Sequence, residues 1–182
     1  MPEKEINGRD TDERETLSRG VGNQRSALLK TILLTGLLVG TLDGAAAVAS
    51  FLLHTGGNPT RIFVYIASGV FGRDAFTAGN SMMWWGLAFH YFIATSWTAL
   101  FFLMHQRCEF LSKNRVWNGI GYGFAIWLVM NLVVLPLSNV PALHRDPARV
   151  VEGVVILIGM VGLPVSFISS KYYGRTNVKN RH

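Results

Sequence analysis

The sequence predicts an all-α, polytopic membrane protein: a four-helix transmembrane bundle with a short interfacial or re-entrant helix between the first two spans. Three observations predict it. Of 182 residues, 49% are hydrophobic and 15% charged, against roughly 25% charged in an ordinary soluble domain. The apolar residues fall in four blocks, each long enough for roughly 30 Å of bilayer hydrocarbon. None of these blocks alternates apolar and polar residues as a strand would. Backbone groups in lipid must be satisfied within the segment, so the spans are helices. A soluble enzyme, a secreted disulfide scaffold and a nucleic-acid-binding domain are all disfavoured.

Residues 1–26 carry Glu3, Glu5, Asp10, Asp12, Glu13 and Glu15 against Lys4, Arg9, Arg14, Arg19 and Arg25. Low hydrophobicity and mixed charge predict a disordered cytoplasmic tail. The membrane domain follows over residues 27–173, with spans at about 31–53, 82–104, 116–137 and 150–169. At 1.5 Å per residue these lengths give roughly 30–35 Å of helix. Residues 174–182 form a second tail. Ala47-Val48-Ala49 resembles a cleavage site, but the first apolar block is longer than a signal-peptide core, which runs roughly 7–15 residues, and Asp43 interrupts it. An uncleaved span is expected.

Between the first two spans, Asn58-Pro59 is a helix-start signal. The apolar run Arg61 to Ala67 behind it is too short to cross a bilayer. It reads as a surface helix under the headgroups or a re-entrant element packed on the bundle.

Topology follows from the basic residues. The net charge is +6, yet Lys and Arg flank the apolar blocks instead of forming a stripe, which is what topology and anionic lipid require. Thirteen of the 17 fall in the N-terminal tail with Lys30, in the loop 107–115 and in the C-terminal tail; Arg61, Arg73, Arg145 and Arg149 fall on the other side. Both termini are therefore expected in the cytoplasm. The partner is the lipid bilayer and not a nucleic acid. Cys108 is the single cysteine, so no disulfide forms within the chain.

Four polar residues are candidates for a site. Asp43 lies one residue past the middle of the first span, where an aspartate costs about 2.5–3.5 kcal/mol on insertion scales and so should face a partner or water. It reads as a proton, cation or polar-ligand site, or as a carboxyl that is protonated or hydrogen-bonded to Thr41 or to a neighbouring helix. His90, in Phe89-His90-Tyr91, reads as a proton relay with Asp43 or as a packing histidine. A bis-histidine haem would need a second mid-span histidine, and His54 and His105 fall at span ends. Asn131, five residues before Pro136, reads chiefly as interhelical glue. Counted at 1.5 Å per residue, Asp43, His90 and Asn131 fall about 1–7 Å to the outer side of the midplane. Glu152 would sit above them, or pair with Arg149 three residues back.

Gly36, Gly40 and Gly44, and again Gly119 and Gly123, recur every four residues, a spacing that lets helix backbones approach. The same stripe would suit a homodimer seam, so a homodimer or a larger membrane complex stays open as a partner. Trp84, Trp85, Trp117 and Tyr172-Tyr173 read as interfacial belts. No phosphate loop, metal spacing or nucleophile elbow is present. No catalytic residue, metal or cofactor is assigned, and a non-enzymatic protein is expected.

Leu42-Asp43-Gly44, the run from Phe63 to Gly69, Gly86-Leu87-Ala88-Phe89-His90-Tyr91 and the run from Met130 to Ser138 are similar to strings in small uncharacterised bacterial four-helix inner-membrane proteins. The resemblance covers roughly residues 30–172. It implies a four-helix architecture in a bacterial inner membrane and implies no reaction. The leading functional expectation is a protein that binds or passes a small polar solute or proton at the Asp/His/Asn site. The alternative is a non-catalytic accessory or scaffold subunit of a larger membrane complex.

Overall fold

Among the described residues, four helices are long and apolar enough to cross a membrane: Gly22–Thr55, Ser81–Arg107, Arg115–Leu137 and Pro147–Gly174. A computed structural model describes residues 3–79, 81–108, 111, 114–141 and 146–179, and no strand occurs among them. Lys113 in the loop 107–115 and Arg145 lie outside the described residues. Only 17–33% of each span's most apolar window is buried by protein. The outward faces, Phe92 and Leu137 among them, need lipid to cover them, as a multi-pass membrane protein requires.

Helix α1 (Glu3–Thr55) contains the first span. It starts far earlier than expected: the disordered tail predicted over residues 1–26 is helical from Glu3 onward, and residues 1 and 2 lie outside the described set. The sequence offers a physical reason. Glu5 and Arg9, Asp10 and Arg14, and Glu15 and Arg19 are each an acid four residues before a base, the order that supports an isolated helix. The chain divides into two compact units, Met1–Leu34 and Thr35–His182. In the first, Thr31 Oγ1 donates to the Ala27 carbonyl at 2.8 Å. The second contains the helix crossings.

Helix α2 (Thr60–Phe71) begins where Asn58-Pro59 predicts. Asn58 Oδ1 accepts from the Thr60 backbone N–H at 3.0 Å and from its hydroxyl at 2.9 Å. Gly72, at φ +66°, ends it in a conformation that favours glycine. α2 is packed on the bundle, not lying free on its surface. Its backbone rests on Gly86 of α3 (Ser81–Arg107), so closely that a Cβ there would overlap the Phe63 carbonyl. Its last carbonyls, which a helix end leaves unpaired, accept from Asn139: the backbone N–H bonds Gly69 at 3.1 Å and the side-chain amide bonds Val70 at 3.3 Å.

Helix α4 (Arg115–Leu137) contains a π turn at Met130–Val134. Helix α5 runs as Pro147–Leu157, a π turn Ile158–Gly162 and Leu163–Lys179. Asp146 caps it, its side chain accepting from the Ala148 N–H at 3.1 Å. Each π turn ends two residues before a proline: the Leu135 N–H reaches Met130 O before Pro136, and the Leu163 N–H reaches Ile158 O before Pro164.

The glycine rows are used inside the chain. A Cβ at Gly36 would lie 2.8 Å from Thr95 Cα, one at Gly40 2.8 Å from the Tyr91 ring, and one at Gly123 2.6 Å from Ile158 Cα. The stripes bring α1 onto α3 and α4 onto α5, which accounts for the four-residue spacing without a seam between copies. Below these crossings lies the core, where Phe101, Tyr122, Ile126 and Val165 are buried together. Hydrogen bonds also tie the helices there. Ser166 Oγ donates to Arg115 O at 2.7 Å, and Tyr173 OH donates to Phe102 O at 3.1 Å. Tyr173 also stacks on His105 at 5.0 Å. It is therefore a packing residue rather than part of an interfacial belt, whereas Trp84, Trp85 and Trp117 stay exposed.

Candidate functional site

Beside this core, with Ala94, Ile126 and Val161 belonging to both, the helices part around a cavity of about 1070 Å³. All four spans and α2 contribute to its wall. Asp43, His90, Asn131 and Glu152 all line it.

The site is built from α1 outward. Gly40 and Gly44 flank Asp43 and leave room for α3 to approach. His90 Nε2 thereby reaches the Gly40 carbonyl at 2.8 Å. A carbonyl only accepts, so Nε2 carries the hydrogen and Nδ1 is the nitrogen at which the ring gains or loses charge. The ring is held on two further sides, edge-on to Phe63 at 6.3 Å and to Tyr91 at 5.6 Å. A Cβ at Gly44 would sit 3.2 Å from Nε2.

Asp43 is not bonded to Thr41, one partner its sequence neighbourhood suggests. Thr41 Oγ1 donates to Leu37 O at 2.8 Å and shares a 2.9 Å bond with the Tyr91 hydroxyl. Among the described residues no hydrogen-bond donor meets the Asp43 carboxyl group, and the His90 ring is its titratable neighbour. A carboxyl group has several hydrogen-bond sites, so this one faces the cavity with its capacity open.

Asn131 occupies the π turn of α4, and its amide donates to Trp127 O at 2.8 Å. Glu152 does not form the expected pair with Arg149. Its Oε2 lies 3.9 Å from Nε2 of His54 at the end of α1. α5 starts at Pro147, ahead of residue 150; Glu152 faces His54 of α1, and Arg149 lines the wall beside it.

Sequence reasoning passed over Tyr65, Arg149 and the partnership of His54. The signal for Tyr65 was present: Ile62, Tyr65, Ile66 and Gly69 follow the spacing of one helical face, and all four line the cavity. Between the polar groups the wall is apolar and aromatic, with Phe51, Phe89, Trp97 and Trp127. Among the described residues no three His, Cys, Asp or Glu side chains gather as metal ligands would. Compared with protein-family models, with curated proteins and with solved structures, the chain has no match in any of the three.

Proposed function

We propose that this multi-pass membrane protein resides in a bacterial inner membrane with both termini in the cytoplasm. There, without being an enzyme, it binds or passes a small polar solute or proton at Asp43, His90, Asn131 and Glu152. The bias of Lys and Arg toward one set of loops and tails supports the orientation. One observation carries the functional reading: the Asp43 carboxylate, mid-helix in the first span, lines a cavity and takes no hydrogen bond from the described residues. Such a group is costly within a membrane unless something in the cavity meets it. Asp43 is the ionisable centre. His90, fixed through Nε2, exchanges its proton at Nδ1, and Asn131 orients what enters. Glu152, facing His54, stands apart from the Asp43–His90 pair as a second acidic group.

The test is Asp43→Asn, which keeps the shape and removes the charge. Purified protein is reconstituted into vesicles with a trapped pH-sensitive dye and screened against polar solutes for a ligand-dependent rise in Tm. The expected result is proton flux or solute stabilisation in the wild type and neither in the variant. Equal behaviour of the two proteins in both assays overturns the reading. It would favour the second one, an accessory or scaffold subunit of a larger complex.

A further inference from the structure

The cavity is much larger than the group it surrounds. A proton or a small hydrophilic solute fills a corner of 1070 Å³, a space of on the order of 35 waters at about 30 Å³ each. Water in most of it would face Ile62, Ile93, Ile126 and Leu157, which offer no hydrogen bonds. Sites for larger organic ligands run to roughly 300–1,000 Å³ with apolar walls and a few fixed polar groups, and this cavity matches that description. The head of such a ligand is defined by Asp43. A carboxyl group with no hydrogen-bond donor among the described residues accepts from a group that donates, and a positive charge on that group favours the ionised form. Arg149 is the single Lys or Arg on the wall among the described residues, and it sits three residues from Glu152 on the same helix. It is not an ion-pair partner of Asp43. Aromatic faces at Phe51, Phe89, Trp97 and Trp127 suit an organic cation further. Access is lateral: Phe92 lines the cavity and is also 71% exposed, so the wall opens beside it toward the acyl chains.

We propose that the cavity binds a lipophilic amine, an amphiphile whose protonated amino head pairs with Asp43 and whose apolar body fills the space among α2, α4 and α5. The inference rests on the reading of this cavity as a ligand site and adds the class of ligand. It excludes a phosphate-bearing head at Asp43, because the carboxylate would repel it.

Full-length protein in neutral maltoside micelles is incubated with radiolabelled dodecylamine or with dodecanol, which has the same chain and a neutral head. Retention is measured against protein-free micelles. Saturable binding of the amine is expected, tighter than the alcohol by roughly 10- to 100-fold, the range of one charge-assisted hydrogen bond. Asp43→Asn should bring the amine down to the alcohol. The wild-type comparison of the two probes stands even if that variant does not fold. Equal binding of both probes, unchanged by Asp43→Asn, refutes the cationic head yet leaves a ligand cavity. Absence of saturable binding by either probe refutes the lipophilic ligand altogether, and proton flux and solute stabilisation then decide the broader reading on their own.

Discussion

Replacing Gly86 by alanine tests the arrangement that gives the cavity its cover. The Phe63 carbonyl of α2 lies against Gly86 of α3, and a Cβ added there would overlap it. Even Phe63 Cα would be 2.9 Å from the new carbon, where ordinary contact begins at 3.4 Å. Because the obstacle is backbone, no rotamer change relieves the clash. α2 must withdraw as a body by more than the 0.5 Å that separates those two distances. Overpacking of this kind costs about 1–3 kcal/mol. Withdrawal also strains the two bonds from Asn139 to Gly69 and Val70, worth about 0.5–1.5 kcal/mol each. A total of about 2–6 kcal/mol lowers Tm by roughly 4–24 °C for a chain of this length. Gly121→Ala is the control, since nothing lies within 4 Å of a Cβ there, and it should stay within about 0.5 kcal/mol. Thermal unfolding followed by circular dichroism in micelles reads both. If the two variants melt together, α2 does not rest on Gly86 and the cavity loses its cover.

Three further outcomes follow from the same geometry. Asp43→Leu forfeits no hydrogen bond to the described residues and removes an intramembrane carboxylate, so it should stabilise the fold by up to about 3 kcal/mol; destabilisation by more than about 1 kcal/mol in a detergent-unfolding titration would make Asp43 structural. Gly44→Ala places a carbon 3.2 Å from His90 Nε2 and must push the ring away from Gly40, at a cost of about 0.5–1.5 kcal/mol. Nitrogen NMR of labelled histidine should then show the Nε2 resonance moving, and an unmoved resonance refutes the 2.8 Å bond. Glu152→Gln disturbs a pair at 3.9 Å whose members are 42% and 30% exposed, so unfolding should shift by less than about 1 kcal/mol; a larger loss would mean Glu152 holds the bundle together.

The spans were legible because lipid imposes a rule that residue type alone answers: about twenty apolar residues without charge. Helix ends were legible where a cap lay in the sequence, as at Asn58-Pro59. The same signal at Asp146-Pro147 was overlooked because the residues after it, Arg149 and Glu152, are charged and conceal the span's start. The predicted disorder of the N-terminal tail missed the acid-before-base spacing, whose contribution is local and needs no core. For the site, the depth of Asp43, His90 and Asn131 followed from counting along helices. Which way each side chain turns did not, because rotation about a helix axis depends on packing partners. Gly40 decided it for His90: only with α1 and α3 in contact does the ring find a backbone carbonyl.

The two π turns hold residues four apart on one wall where they fall, at the Asn131–Leu135 and Leu157–Val161 steps. Trp127, Asn131 and Leu135 of α4 line the cavity, as do Arg149, Gly153, Leu157 and Val161 of α5. In a plain α-helix of 3.6 residues per turn, every four-residue step rotates the next side chain by about 40°. A wider turn takes up that drift, and in both helices it falls among these residues, where the chain also prepares for a proline that cannot donate. The π turn is in effect one residue more than an α-helix of the same rise would hold. Deleting Val133, which lies in the α4 turn and is 47% exposed, should therefore convert the turn to α while leaving the register beyond it intact. The Asn139 bonds to α2 survive and Tm falls only modestly. Deleting exposed Ala125 from the regular part of α4 rotates everything after it by about 100° and should abolish folding. If the two deletions are equally damaging, the π turn is not a spare residue, and the wall's four-residue spacing must be held by the neighbouring helices instead.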